Sequence, residues 1–256
     1  MNFITDWMNE YFLRLNPDKT KIIVFAPPSI RREIRIGGTF LDGKCIRFVN
    51  CAKNLGVLLD SELSFENQVT KVVKSCFGII RKLSSISFYL NPNDLNTLVC
   101  AYIFSQIDYC NVLYFGLNTS LIKKLQHVQN CAARLIMKKG TQKSLADVFF
   151  QFHWLKVRER IEYKVLLTVH KCLHGQSPES LTKLLSYGDS GRTMKLLEER
   201  SRTKYGDRAF SHAGPKLWNC LPWYVRDRHV TPDFKTGLKS FLILNGDEFH
   251  RKINIK

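Results

Sequence analysis

The stretch SFENQVTKVVKSCFGIIRKLSSI, residues 64–86, decides the fold class. Phe65, Val69, Val72, Val73, Cys76, Ile79, Ile80, Leu83 and Ile86 recur at spacings of three and four, the period of one helical face. Lys71, Lys74, Arg81 and Lys82 fall on the opposite, solvent side. Ser64 stands just ahead of the pattern, where a hydroxyl accepts from an otherwise unpaired N–H of the first turn. Downstream the same period repeats. Asn91-Pro92 opens a second helix through Leu95, Leu98, Val99, Tyr102 and Ile103. A third follows Thr119-Ser120, with Leu121, Leu125, Val128, Ala132, Leu135 and Ile136 inward and Lys123, Lys124, Arg134, Lys138 and Lys139 outward. A fourth runs from Val157 to Leu173 and ends at Gly175, and Ser177-Pro178 opens a short helix through Leu181, Leu184 and Leu185.

Residues 186–206 read as a polar connector. The chain restarts at Gly206-Asp207-Arg208, packs through Phe210, Leu217, Trp218 and Trp223, and finishes with a helix over Phe234, Leu238 and Phe241. Upstream of residue 60 the pattern is mixed. Asp6 to Leu15 is a short amphipathic helix and Asn16-Pro17-Asp18 a turn. Lys21 to Ala26 reads as a strand stopped by Pro27-Pro28, with further strands at Ile34–Ile36, Cys45–Val49 and Leu55–Leu59. Gly37-Gly38 and Asp42-Gly43 are turn signals between them. The expected class is α+β, mostly α.

Lys and Arg number 39 against 22 Asp and Glu, a net charge of +17. Residues 1–60 hold 9 basic and 6 acidic side chains, residues 61–256 hold 30 and 16, so the excess lies in the helical part. That footprint favours a polyanionic partner, nucleic acid being the commonest. At 45% hydrophobic residues the chain can bury a core. The densest apolar run, Leu98 to Phe104, is far short of the ~20 residues that cross a bilayer, so no membrane partner is expected. The first residues lack the pattern of a signal peptide, which predicts an intracellular protein, nuclear or cytoplasmic and not secreted. The eight cysteines then read as reduced thiols. No two form a C-x2-C pair. His170 and His174 have zinc-like i, i+4 spacing, but a third ligand and a catalytic Glu inside the motif are missing, and they read as histidines at a helix C-terminus.

Leu15-Asn16-Pro17-Asp18-Lys19-Thr20 running into Ile22 to Phe25, and Asn54-Leu55-Gly56-Val57-Leu58-Leu59-Asp60, carry a family likeness. So do Ile107-Asp108-Tyr109-Cys110-Asn111, Leu125-Gln126-His127-Val128-Gln129-Asn130 with Ala132 to Leu135, and His153-Trp154-Leu155 with Val157, Arg160 and Ile161. Gly206 to Ser211, Gly214-Pro215-Lys216-Leu217-Trp218-Asn219 and Leu221-Pro222 complete the series. In order and spread the chain resembles the C-terminal half of reverse transcriptases of non-LTR retrotransposons, the long interspersed element type. The resemblance implies that residues 1–60 are a palm remnant with motif D over Leu15–Phe25 and the primer-grip hairpin, motif E, over Asn54–Asp60. It makes 61–140 a helical thumb and 141–256 a helical C-terminal region.

The same resemblance implies RNA template and DNA primer as partners, held as an RNA–DNA hybrid, with Lys19 beside the incoming nucleotide's phosphates as general acid or charge stabiliser. Lys21 is the alternative match, and a lysine on a solvated turn the plainer reading. Leu55 and Gly56 would approach the primer, Gly56 also suiting a strand bulge or tight packing. Lys71, Lys74, Arg81 and Lys82 would contact phosphates. Trp154, Trp218 and Trp223 could stack on bases, but their apolar neighbours favour core packing.

Mg²⁺ is implied for the full-length family enzyme, whose motifs A and C supply aspartates that hold two ions. This chain contains no Asp-Asp string, motifs A to C fall outside it, and no cofactor is expected in it. Asp18 and Asp60 read as structural, in a turn and a helix cap. The expected function is template–primer binding without polymerisation by the chain alone. The alternative is a non-catalytic, basic nucleic-acid-binding or interaction module derived from such an element.

Overall fold

The computed structural model describes residues 2–33, 39–41, 43–137, 144–188, 194–199, 201–203 and 205–254. The fold is α+β and mostly α, with two small antiparallel two-stranded sheets among the described residues. The chain forms two compact units, Met1–Thr70 and Lys71–Lys256. That division falls inside a helix ten residues beyond position 60. The helices on either side of position 140 pack together.

The first unit holds helices α1 (Asn2–Glu10) and α2 (Pro28–Glu33) and two hairpins. Strands β1 (Thr39–Leu41) and β2 (Lys44–Ile46) form one, β3 (Cys51–Asn54) and β4 (Val57–Asp60) the other. In the second hairpin Cys51 pairs with Asp60 and Asn54 with Val57, so Leu55-Gly56 is a two-residue turn. Both turn residues have positive φ, 44° and 87°, which matches the right-handed twist of the strands and explains a glycine at the second position. The expected strand at Leu55–Leu59 therefore begins two residues later, at Val57. The strand expected over Cys45–Val49 shortens to β2. Lys21 to Ala26 is not a strand: extended backbone needs a partner ladder, and here only Ile22 bridges to Phe48, with Val49 N–H donating to the Ile22 carbonyl at 2.8 Å. The readings at Ile34–Ile36, Gly37-Gly38, Asp42, Lys138 and Lys139 lie outside the described residues.

Helix α3 (Glu66–Ile86) begins in the first unit. Its entry is fixed by Asp60, whose carboxylate accepts from the backbone N–H groups of Glu62, Ser64 and Phe65 at 2.8–3.1 Å. These bonds hold the Asp60 carboxyl below the usual range although partial burial pulls it up. Ser64 Oγ accepts from Glu66 N–H at 3.3 Å. Buried Gln68 accepts from Leu58 N–H at 3.0 Å and so ties the hairpin to the first turn of α3.

The second unit continues with α4 (Pro92–Val99), a π turn over Cys100–Phe104, α5 (Ser105–Asp108), α6 (Thr119–Ile136), α7 (Leu145–Gln151) and α8 (Val157–Leu173). Asn91 caps α4 by accepting from Asn93 and Asp94 N–H, both at 2.9 Å. After α9 (Glu179–Thr182) come α10 (Phe210–Cys220), α11 (Trp223–Arg226) and α12 (Thr231–Asn254). Helix α8 is the hub: α5, α6, α9, α10 and α12 all pack on it. It buries more than one stripe, because Glu159, Glu162 and His170 are covered as well as Val157, Ile161, Val165 and Val169. Its main core joins Val165, Leu166 and Val169 to Leu217, Trp218, Phe234, Leu238, Leu242 and Phe249. Leu196 enters this core from the stretch that reads as a polar connector. Trp223 does not: it is 71% exposed, since the single turn α11 spends its inner face on Val225 and Arg226. Tyr102, expected inward, is exposed on the π turn.

The i, i+4 histidines are part of this packing. His170 is buried and stacks between His174 and Phe234, both rings at 4.1 Å. Its Nε2 meets the Arg228 carbonyl at 2.8 Å and therefore donates, which leaves Nδ1 as a buried lone pair. Burial, with His174 and His229 close by, holds its pKa below the ordinary value, although the Arg228 bond raises it.

Two outcomes follow. Amide hydrogens over Ile22–Phe25 will exchange much faster than those over Val69–Leu83, because one bridge protects the former and a continuous helix the latter; equal protection would contradict this. Neutral His170 also stabilises the fold only above the unfolded-state pKa near 6.5. As pH falls below that value the unfolded chain binds a proton the folded chain resists, and stability is lost with a slope approaching ~1.4 kcal/mol per pH unit for this group. Urea melts of wild type and His170→Gln between pH 7 and 5 will show a shallower loss in the variant.

Candidate nucleic-acid interface

In the first unit Lys19 is exposed on the turn whose Asn16 side chain accepts from Asp18 N–H at 2.9 Å and whose Asn16 carbonyl accepts from Lys19 and Thr20 N–H at 3.1 Å. Lys21 is exposed one residue beyond the turn. Asp18 ion-pairs with Lys44 of β2. Leu55, 84% exposed, and Gly56 form the tip of the β3–β4 hairpin. The turn that carries Lys19 and the tip that carries Leu55 are separate features of this unit.

In the second unit Lys71, Lys74, Arg81 and Lys82 are all exposed and share a side of α3, spanning about 16 Å at the ~1.5 Å helical rise. Phe77 lies beside them, one turn from Lys74 and Arg81. Its ring meets that of His127 on α6, with centroids 5.7 Å apart. His127 belongs to a second polar stripe of Lys124, His127, Cys131 and Arg134, in which Cys131 Sγ lies 3.8 Å from His127 Nε2 and 3.9 Å from Arg134 Nη1. The Phe77–His127 contact thus joins two basic helical faces into one surface. Beyond Ile86, a 3₁₀ turn exposes Phe88 and Tyr89, whose rings meet edge-on at 5.7 Å. Lys124 and Arg134 were legible as outward cations from helical spacing; the junction of α6 with α3 rests on a ring contact that no spacing encodes.

The motif strings of the helical unit assemble internally. Arg160 pairs with Asp108 at 2.5 Å, donates to the Leu155 carbonyl at 3.2 Å and lies 4.0 Å over the Phe104 ring. Buried Gln129 donates to the Leu155 carbonyl at 2.8 Å, and Gln126 accepts from Val157 N–H at 2.9 Å. Trp154 Nε1 donates to Asn96 Oδ1 at 3.0 Å, and Trp218 Nε1 to the Met194 carbonyl at 2.9 Å. Asn219 holds the Leu196 backbone through both N–H and C=O. Arg208 Nε donates to the Phe115 carbonyl at 3.2 Å, its stem lying where a Cβ on Gly116 would clash. Trp154 and Trp218 are thus buried core residues and Trp223 alone of the three faces solvent.

Asp18 and Asp60 are both engaged within the protein. Asp18 is paired with a lysine, and Asp60 is spent on three backbone N–H groups. Among the described residues no group of three or more His, Cys, Asp or Glu side chains is placed to hold a metal. The eight cysteines are free thiols, and among the described residues no helix is long and apolar enough to cross a membrane. No protein-family model, no curated protein and no solved structure matches the chain.

Proposed function

We propose that the helical unit binds the sugar–phosphate backbone of nucleic acid across the joined α3–α6 surface. In this reading the chain is the template–primer-holding part of an RNA-directed DNA polymerase of the non-LTR retrotransposon type, unable to extend a primer alone. The observation that carries it is the Phe77–His127 contact, which brings the helix that bears Lys71, Lys74, Arg81 and Lys82 against the helix that bears Lys124 and Arg134. Phosphate contact is the chemistry such a surface offers: several long cations, no acidic side chain among them, and no fixed fork aimed at a base edge. Phe88 and Tyr89 add π faces at one end, suited to an unpaired base. The motif order supports the polymerase part of the reading. It gives Lys19 a place near nucleotide phosphates and Leu55–Gly56 a place against the primer, with an RNA–DNA hybrid as the ligand.

A second reading, a non-catalytic nucleic-acid-binding module derived from such an element, is favoured by the apolar cluster around α8, α10 and α12, whose residues all lie in the second unit. The two readings share the surface and differ in whether the chain serves a polymerase.

Binding to an RNA–DNA hybrid will be sequence-tolerant and steeply salt-dependent. Changing Lys71, Lys74, Arg81 and Lys82 together to Glu will flatten the log-affinity against log-salt slope, by about 0.9 for each duplex phosphate no longer neutralised. The pair Lys124→Glu and Arg134→Glu will flatten it further. An unchanged slope in both variants would remove the surface from consideration. Primer extension on a primed RNA template with Mg²⁺ or Mn²⁺ will stay at the no-protein level, and synthesis above it would overturn the non-catalytic assignment.

A further inference from the structure

A second concave site lies away from the α3–α6 surface, where α5, α8, α12 and the loop before α8 enclose a cavity of about 290 Å³. Its charge is lopsided. Asp108 and Arg160 neutralise each other at 2.5 Å, and their side chains are only 26% and 16% exposed. Lys164 of α8 and Lys239 of α12 also line the cavity, and among the described residues neither has a carboxylate within ion-pair distance. Two positive charges are left facing the same space. Their fields act inside it: Lys164 and Arg160 pull the Asp108 carboxyl down against the larger upward effect of burial, and Lys239 and Arg160 do the same to the Cys100 thiol.

The remaining walls include Tyr163 and an aromatic side from Phe152 and buried Trp154, whose rings lie 6.1 Å apart and tilted by 35°. A ligand that uses all of this carries two negative charges on a compact group and a planar group beside it. The volume is near the lower end of the range for small-molecule sites, about one nucleotide, and far too small for a duplex.

We propose that this cavity binds a nucleoside monophosphate moiety, its dianionic phosphate between Lys164 and Lys239 and its base against Phe152, either as a free nucleotide or at the phosphorylated end of a strand. Arg160 is held by Asp108, the Leu155 carbonyl and the Phe104 ring, so it stays in place and does not close on the ligand. Lys164 and Lys239 come from different helices and bracket the phosphate. The inference does not require that the α3–α6 surface bind nucleic acid.

The test is titration of the full chain with AMP, followed by the Trp fluorescence of the cavity wall and by calorimetry, with inorganic phosphate and adenosine alongside. AMP is expected to bind more tightly than either part. Lys164→Glu and Lys239→Glu will each weaken AMP at least ten-fold, and the double variant will abolish saturable binding, with the thermal melt of each variant checking that the fold is retained. Lys235→Glu on α12, which does not line the cavity, will leave binding unchanged. Should a reversal unfold the chain, Lys164→Gln and Lys239→Gln are expected to weaken AMP by a smaller factor in the same order.

Two 10-mers, one 5′-phosphorylated and one 5′-hydroxyl, separate the sources. A preference for the phosphorylated strand that vanishes in the double variant assigns a strand end, and AMP binding without that preference assigns a free nucleotide. Absence of AMP and 5′-phosphate binding at millimolar concentration, or binding that survives both reversals, overturns the proposal. Loss of hybrid binding in the α3 variant with AMP binding intact would show that the two sites are independent, and hybrid binding that persists there would count against the function proposed above and leave this site standing.

Discussion

Arg160 stands where α5, α8 and the loop between α7 and α8 meet, and much of the second unit is arranged around its charge. A guanidinium that is mostly out of water needs every donor direction answered. Asp108 answers one, the Leu155 carbonyl another, and the face of Phe104 takes the cation. Each partner is then constrained. Leu155 must present its carbonyl to both Arg160 and Gln129, which fixes the loop ahead of α8. Gln126 accepts from the first N–H of α8, so α6 and α8 lock at the same place. With α8 anchored, its other sides remain for α10 and α12 and the apolar core forms around it.

The helices were legible because their burial follows a period. Val157 to Leu173 is a helix with the limits that Gly175 and the apolar spacing indicate, and Leu121, Leu125, Val128, Ala132 and Ile136 all face inward. The sheet was legible only in part. A two-residue turn at Leu55-Gly56 makes a hairpin, yet β-branched composition from Lys21 to Ala26 does not make a strand, since composition cannot supply the neighbouring ladder. Leu196 and Trp223 were misplaced for a related reason. Whether one apolar residue in a polar stretch is covered, or one aromatic on a single turn is exposed, is decided by the packing of distant elements. Among the site residues, the four cations of α3 were readable from spacing, and the cavity between α8 and α12 was not, because Lys164 and Lys239 stand 75 positions apart.

Most of the sequence strings singled out in the helical part are occupied with internal bonds. Asp108, Gln126, Gln129, Trp154, Arg160, Trp218 and Asn219 spend polar atoms on backbone, on a neighbouring side chain or on one another. Those strings therefore speak to the frame. The surface proposed for nucleic acid is carried by side chains outside nearly all of them, on the wet faces of α3 and α6, where only charge and helical spacing constrain the residue.

The π turn at Cys100–Phe104 makes that frame sensitive to chain length. One residue more than an α-helix needs is accommodated there, between α4 and α5. Without that extra residue an ordinary helix would carry the same phase past the turn, whereas one further residue inserted beside it would rotate everything beyond by about 100°. Ile107 would leave its buried side, and Asp108 would swing away from Arg160. Substitutions in this segment change one side chain each, whereas an insertion changes the phase of the helix that carries the ion pair. For this part of the molecule the number of residues is therefore as much a determinant of the structure as their identity.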